Sequence, residues 1–152
     1  MDRAADNHYP TSDLMTIKER PVSTLAAPDS ALLLWTTNAM LEQALEVVRF
    51  WGFAFKNLIV WDKLDIGTGF NFRNRWEGLI YATRGAIPGP AMGTQWPDLV
   101  AERATTHSTT PQWAYELIED YFPNLPKIEL NARARRPGWD AWGLEAPEDE
   151  AA

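Results

Sequence analysis

The chain has 152 residues, 45% of them apolar, and a net charge of −7; that length suits one domain able to bury roughly 68–70% of its unfolded surface. No apolar run approaches the roughly 20 residues that cross a bilayer. Residues 1–6 lack the basic start and apolar stretch of a secretory signal, and there is no cysteine to form a disulfide, so a cytoplasmic setting is expected. The acidic balance argues against a grip on nucleic acid through an overall positive field and leaves room only for local basic patches.

Short apolar runs alternate with amphipathic segments, which predicts β and α elements in turn and a parallel sheet covered by helices. A short helix is expected over 12–20, then a buried strand over 31–36 in Ala31-Leu32-Leu33-Leu34-Trp35. Asn38 is placed to cap a helix over 39–51, where Leu41, Leu45, Val48 and Trp51 recur at helical spacing and Gly52 supplies a stop. The chain returns as a strand over 53–62, loops at Gly67-Thr68-Gly69, and forms a further strand over 77–83 that ends at Arg84-Gly85. Residues 86–110 carry three proline breaks and little periodicity, so they read as a long surface loop, a common form for binding loops and lids. Thr110 and Pro111 start a helix whose apolar face is Ala114, Leu117, Ile118 and Tyr121. A strand follows over 127–132. Residues 1–145 thus read as one domain, and 146–152 as a frayed acidic tail.

Positive charge gathers at Arg73, Arg75 and Arg84 and again at Arg133, Arg135 and Arg136, either as nucleic-acid patches or as ordinary solvated charge. Trp35, Trp51, Trp61 and Trp139 lie within or beside apolar elements and read as core residues, whereas Trp76, Trp96 and Trp113 sit nearer polar stretches and have base contact as an alternative. Two histidines far apart, with no cysteine, offer no metal-ligand spacing.

Five motifs occur in order: Trp51-Gly52-Phe53, Trp61-Asp62-Lys63, His107-Ser108 with Pro111, Lys127-Ile128-Glu129-Leu130, and Pro137-Gly138-Trp139-Asp140-Ala141-Trp142-Gly143. Together they resemble the N6-adenine methyltransferases related to the messenger-RNA adenine writer. The resemblance implies an α/β, Rossmann-like, S-adenosylmethionine-dependent methyltransferase fold acting on adenine in DNA or RNA, with a methyltransferase partner subunit as a further expectation. The histidine spacing and the short apolar runs lead to an expectation of no metal and no membrane. The family's signature Asp-Pro-Pro-Trp does not occur in the chain, so the fold is expected to be incomplete at the N-terminus.

The chemistry explains why that tetrapeptide matters. An adenine amino group is a poor nucleophile because its lone pair is delocalised into the ring. Acceptors aimed at the nitrogen must orient it and draw off developing charge, while in-line positioning against the sulfonium methyl supplies much of the acceleration. Asp29 and Asp98 adjoin prolines only in the reversed order, where that acceptor geometry has no reason to form. No catalytic residue is therefore assigned. The chain alone is expected to be inactive or impaired, the alternative being a non-catalytic module that binds nucleic acid or a partner on the same scaffold.

The resemblance assigns the remaining positions. His8, Tyr9 and Thr11 match a loop over the substrate adenosine, with a turn leading into the first helix as the alternative, and Arg73 follows the glycine loop on the substrate side, with a plain connecting loop as the alternative. His107, Ser108 and Thr110 match His-Ser-x-Lys-Pro at the cofactor pocket, with Thr110 replacing a lysine that pairs with the cofactor carboxylate and a simple helix start as the alternative. Asn131 and Arg133 match the end of a cofactor-facing strand. Glu145 keeps half of a Gly-Asn-Glu ribose clamp in which Leu144 replaces asparagine, so S-adenosylmethionine binding is expected to be weak or lost.

Overall fold

A computed structural model describes residues 14–105, 110–132 and 134–143. The chain divides between Ala104 and Thr105 into two compact units. Among the described residues, no helix is long and apolar enough to cross a membrane.

In the first unit, α1 (Leu14–Lys18) and α2 (Val22–Leu25) precede β1 (Ser30–Thr37), α3 (Leu41–Phe50), β2 (Ala54–Asp62), β3 (Trp76–Arg84) and β4 (Leu99–Ala101). The four strands form one sheet in the order β1-β3-β2-β4. β3 runs antiparallel to both β1 and β2, and β4 runs parallel to β2. The expected parallel sheet is thus corrected: β1, α3 and β2 form a parallel crossover, but β3 is threaded antiparallel between the two parallel strands. The cause is the segment between Asp62 and Trp76. A parallel return needs a crossover, usually helical, whereas Gly67 and Gly69 help turn this segment back on itself.

β3 is central and covered on both faces, so Gly78, Leu79 and Ile80 are buried consecutively instead of alternating. Leu79, Ile80 and Ala82 are buried, as are Val48, Trp51, Phe53, Ile59 and Trp61. At the end of α3, Gly52 adopts φ +88°. Its N–H donates to Arg49 O at 3.0 Å, and the Phe53 N–H donates to Val48 O at 3.0 Å. That pair is the Schellman stop expected of this glycine. The start of α3 differs from expectation: Met40 is the N-cap, with no side-chain capping bond, and Asn38 contributes its carbonyl to the Leu41 N–H at 3.4 Å.

The long loop expected over 86–110 is also corrected in part, because β4 interrupts it. Val60 N–H donates to Asp98 O at 2.8 Å and Glu102 N–H to Asp62 O at 3.0 Å, which clips the segment to β2. Arg84 closes the other end of the unit. Its guanidinium donates to the carbonyls of Ser23, Ala26 and Ala27 at 2.5–3.2 Å, satisfying the carboxyl end of α2, and lies 5.2 Å from the Phe53 ring centre.

The second unit contains α4 (Gln112–Tyr121), β5 (Lys127–Leu130) and β6 (Trp139–Trp142). Its buried side chains are Trp113, Ala114, Leu117, Phe122 and Ala132. β5 and β6 are parallel. Such short strands span only about 13 Å each, so the non-helical link between them is long enough to return the chain. Pro111, not Thr110, is the N-cap of α4, and no side-chain cap forms.

Candidate cofactor site and its surroundings

α4 is fastened through one face. Tyr115 and Glu119 lie one turn apart, at the spacing that stacks side chains on a helix. The Tyr115 hydroxyl donates to both carboxylate oxygens of Glu129 on β5, at 2.8 and 3.0 Å, and the Thr110 hydroxyl donates to Glu129 Oε2 at 3.2 Å. Burial, reinforced by the bond to Glu129 and its charge, pushes the Tyr115 hydroxyl up to about 12.

Glu119 is held by a separate set of donors. Arg136 grips it with two nitrogens at 2.7 and 2.9 Å, and Trp139 Nε1 on β6 donates to it at 2.9 Å. These contacts, the Arg136 bond first and Trp139 next, lower the Glu119 carboxyl to about 2. The Arg136 guanidinium also lies 4.7 Å from the Tyr115 ring centre, and the Trp139 ring meets Tyr115 edge-on at 5.3 Å.

The carboxyl ends of β5 and β6 lie together. Asn131 follows β5 with φ +58°, and its N–H donates to Trp142 O at 2.6 Å. Gly143 follows β6 with φ +116°, where a Cβ would sit 2.7 Å from Asn131 Oδ1. Only glycine is accommodated there without strain. The carboxyl ends of parallel strands are where open α/β sheets bind ligands, and Asn131 presents an exposed carboxamide able both to donate and to accept there. Thr110 meets the same strand two residues earlier, through Glu129. Its hydroxyl proton is used by that carboxylate, but its lone pairs remain.

Of the residues expected at sites, Thr110 and Asn131 thus come to one strand end. Arg73 is exposed in the β2–β3 loop of the other unit. His8, Tyr9, Thr11, His107, Ser108, Arg133 and Glu145 lie outside the described residues. The expectation that Thr110 caps the helix gives way to its bond with Glu129. Glu129 and Tyr115 were not singled out as site residues; an acid within the apolar run Ile128-Glu129-Leu130 was the available signal. Among the described residues, no group of three or more acidic or histidine side chains is placed to hold a metal.

The basic clusters are largely committed to the fold. Arg75 forms a two-pronged pair with Asp62 at 2.8 and 3.2 Å, Arg84 is bound to carbonyls, and Arg136 is bound to Glu119. The Arg75 bond, and after it the Leu64 N–H at 2.9 Å, hold the Asp62 carboxyl below its usual value. Asp29 and Asp98 also have structural tasks: the Asp29 carboxylate accepts the Ala86 N–H at 2.8 Å, and Asp98 O accepts Val60. Trp113 is buried, as are Trp51 and Trp61, whose indole N–H groups donate to Lys18 O at 3.2 Å and Glu102 O at 2.7 Å.

The MT-A70 family model matches residues 1–145, spanning both units. The chain is 32% identical to the Type II methyltransferase M.MunI of Mycoplasma sp, over 97% of this chain and 64% of that protein. It is 29% identical to the human N(6)-adenine-specific methyltransferase METTL4, over 91% of this chain and 33% of the relative. It is also 29% identical to the human N(6)-adenosine-methyltransferase catalytic subunit METTL3, over 76% of this chain and 21% of the relative. The chain therefore spans less than two thirds of the length of each of these relatives.

Proposed function

This chain belongs to the MT-A70 family, and from that premise we propose that it is the cofactor- and substrate-holding part of an S-adenosylmethionine-dependent N6-adenine methyltransferase acting on DNA or RNA. The observation that carries the reading is the pairing of Asn131 and Gly143 at the carboxyl ends of two parallel strands, beside the Thr110–Glu129–Tyr115 network. The threaded βαβ crossover of the first unit supports a Rossmann-like methyltransferase fold, with residues 1–145 working as one family domain.

When bound, S-adenosylmethionine supplies an electrophilic methyl group. Asn131 offers its carboxamide to the polar groups of the cofactor, and Thr110 offers hydroxyl lone pairs where the family places a lysine. His107, Ser108, Arg133 and Glu145 complete the proposed cofactor set, and His8, Tyr9, Thr11 and Arg73 the proposed substrate side. Glu129 is too heavily used by Tyr115 and Thr110 to act as a free acceptor, so its role is to position Thr110. The Asp-Pro-Pro-Trp acceptors that the family uses at the adenine amino group do not occur in this sequence, so these residues hold and orient cofactor and substrate.

The neutral Thr110 favours a second reading, a non-catalytic module that holds nucleic acid or a methyltransferase partner. A tryptophan-fluorescence thermal melt with and without millimolar S-adenosylmethionine separates the two. A ligand that binds only the folded state raises the midpoint, so an upward shift supports the cofactor site. A cooperative but unmoved melt overturns it in favour of the module.

A further inference from the structure

The β2–β3 loop is braced at its base and apolar at its tip. The Lys63 N–H donates to Arg75 O at 3.1 Å, Gly67 N–H to Asn74 O at 2.6 Å, and Asn74 N–H to Thr68 O at 3.1 Å. The Asp62–Arg75 pair closes the base. Both glycines are required by this tight packing: a Cβ on Gly67 would lie 2.9 Å from Asn74 O, and one on Gly69 would collide with the Phe72 carbonyl. The backbone therefore occupies the inside of the loop, and the large side chains are left outside. Phe70 is 77% exposed and Phe72 is 84% exposed.

Such exposure on a braced loop is costly for a protein in water and calls for an occupant. Two phenyl rings offer only about 300 Å², well short of the roughly 800 Å² per partner of a specific protein interface. Their neighbours Asn71, Arg73 and Asn74 are polar, residues 66–76 contain no acid, and Arg73 makes no ion pair among the described residues. Two exposed rings followed by a cation with no ion pair among the described residues match a chain of bases joined by phosphates, in which bases stack on aromatic faces and a phosphate takes a charge.

We infer that Phe70 and Phe72 form a base-stacking platform for single-stranded or locally unpaired nucleic acid, with Arg73 on an adjacent phosphate. The inference rests on the reading of the chain as a nucleic-acid methyltransferase part and adds to it where, and by what contacts, the strand is held. It also accounts for nucleic-acid binding by a protein whose net charge is −7, because stacking does not depend on an overall positive field.

The test is fluorescence anisotropy of the full chain with a fluorescein-labelled, adenine-containing 12-nucleotide single strand, as DNA and as RNA, at low salt. The variants are F70A/F72A, F70Y/F72Y and R73A, each checked for an unchanged thermal midpoint, which the exposure of these side chains leads us to expect. Losing a stacked ring weakens binding about 5- to 150-fold, so F70A/F72A should lose at least tenfold while F70Y/F72Y stays near the wild type. R73A should reduce the slope of log affinity against log salt by about 0.7. Equal affinity of wild type and F70A/F72A overturns the platform. Unchanged nucleic-acid affinity together with loss of a dimer in F70A/F72A overturns it in favour of a protein interface. If the platform fails while S-adenosylmethionine still raises the melting midpoint, the methyltransferase reading survives. If the wild type binds neither the cofactor nor the strand, both fall.

Discussion

The Tyr115 hydroxyl donates to Glu129 Oε1 at 2.8 Å and to Oε2 at 3.0 Å, joining α4 to the middle of β5. The bond keeps a carboxylate satisfied within a partly apolar strand and sets the position of Thr110, the other donor to the same group.

Y115F removes the closer of the two donors to Glu129 while keeping the ring that Arg136 and Trp139 contact. A partly buried carboxylate left short of a partner costs about 1–3 kcal/mol. Urea denaturation should show that loss, and a variant as stable as the wild type would mean that water replaces the phenol without cost.

Alkaline pH should have a related effect. Tyr115 is raised to about 12 in the folded chain against 10.0 for the free side chain, so the folded state favours the protonated phenol. Its stabilising contribution is complete below pH 10 and is lost as pH rises from 10 to about 12. Denaturation midpoints measured at pH 9 and pH 11.5 should fall more steeply for the wild type than for Y115F.

The Glu119–Arg136 pair contributes to the acid limb alongside the Asp62–Arg75 pair. Glu119 is lowered to about 2 from 4.5, so its contribution is present above pH 4.5 and is lost as pH falls toward 2. E119Q should flatten this part of the stability profile. R136A removes the ion pair and the contact over Tyr115 together, for a loss of about 1–2 kcal/mol by chemical denaturation.

Asn131 and Gly143 test the cofactor site in different ways. G143A forces a side chain into φ +116° and against Asn131 Oδ1, and should cost about 1–3 kcal/mol of stability. N131A puts alanine at φ +58° and should cost about 1 kcal/mol of stability, while raising the Kd for S-adenosylmethionine by about 3- to 10-fold, the worth of a neutral hydrogen bond. Isothermal titration of N131A reads this directly; an unchanged Kd would remove Asn131 from the site.

Much of the element order was legible because its signals are local. The helical recurrence of Leu41, Leu45, Val48 and Trp51 predicts α3, and Gly52 marks its end because its left-handed backbone suits glycine. The strand around Leu33 was readable as a continuous apolar run. β4 and β6 were not: Leu99–Ala101 is too short to show a period, and Trp139–Trp142 sits between turns and gains its strand character by pairing with β5.

The candidate site was legible by motif only. Thr110 and Asn131 could be picked from the series of motifs because side-chain type and order survive in the sequence. Their partners could not, since Thr110 reaches Glu129 across 19 positions and Arg136 reaches Glu119 across 17. The same applies to the arginine clusters. A run of positive charge looks like a phosphate-binding patch until Asp62, Glu119 and the carbonyls of residues 23–27 are seen to occupy Arg75, Arg136 and Arg84.

By itself the sequence determined the family, the alternation of strands and helices, and the glycine stops, because residue identity, hydrophobic period and backbone freedom are properties of neighbouring residues. Only the tertiary structure decided that β3 runs antiparallel between β1 and β2, that Arg73 remains without an ion pair among the described residues while Arg75 is paired, and that Phe70 and Phe72 stand in solvent. Strand direction, charge pairing and exposure depend on groups brought together from distant positions, and the free energies that choose among them arise when the chain packs.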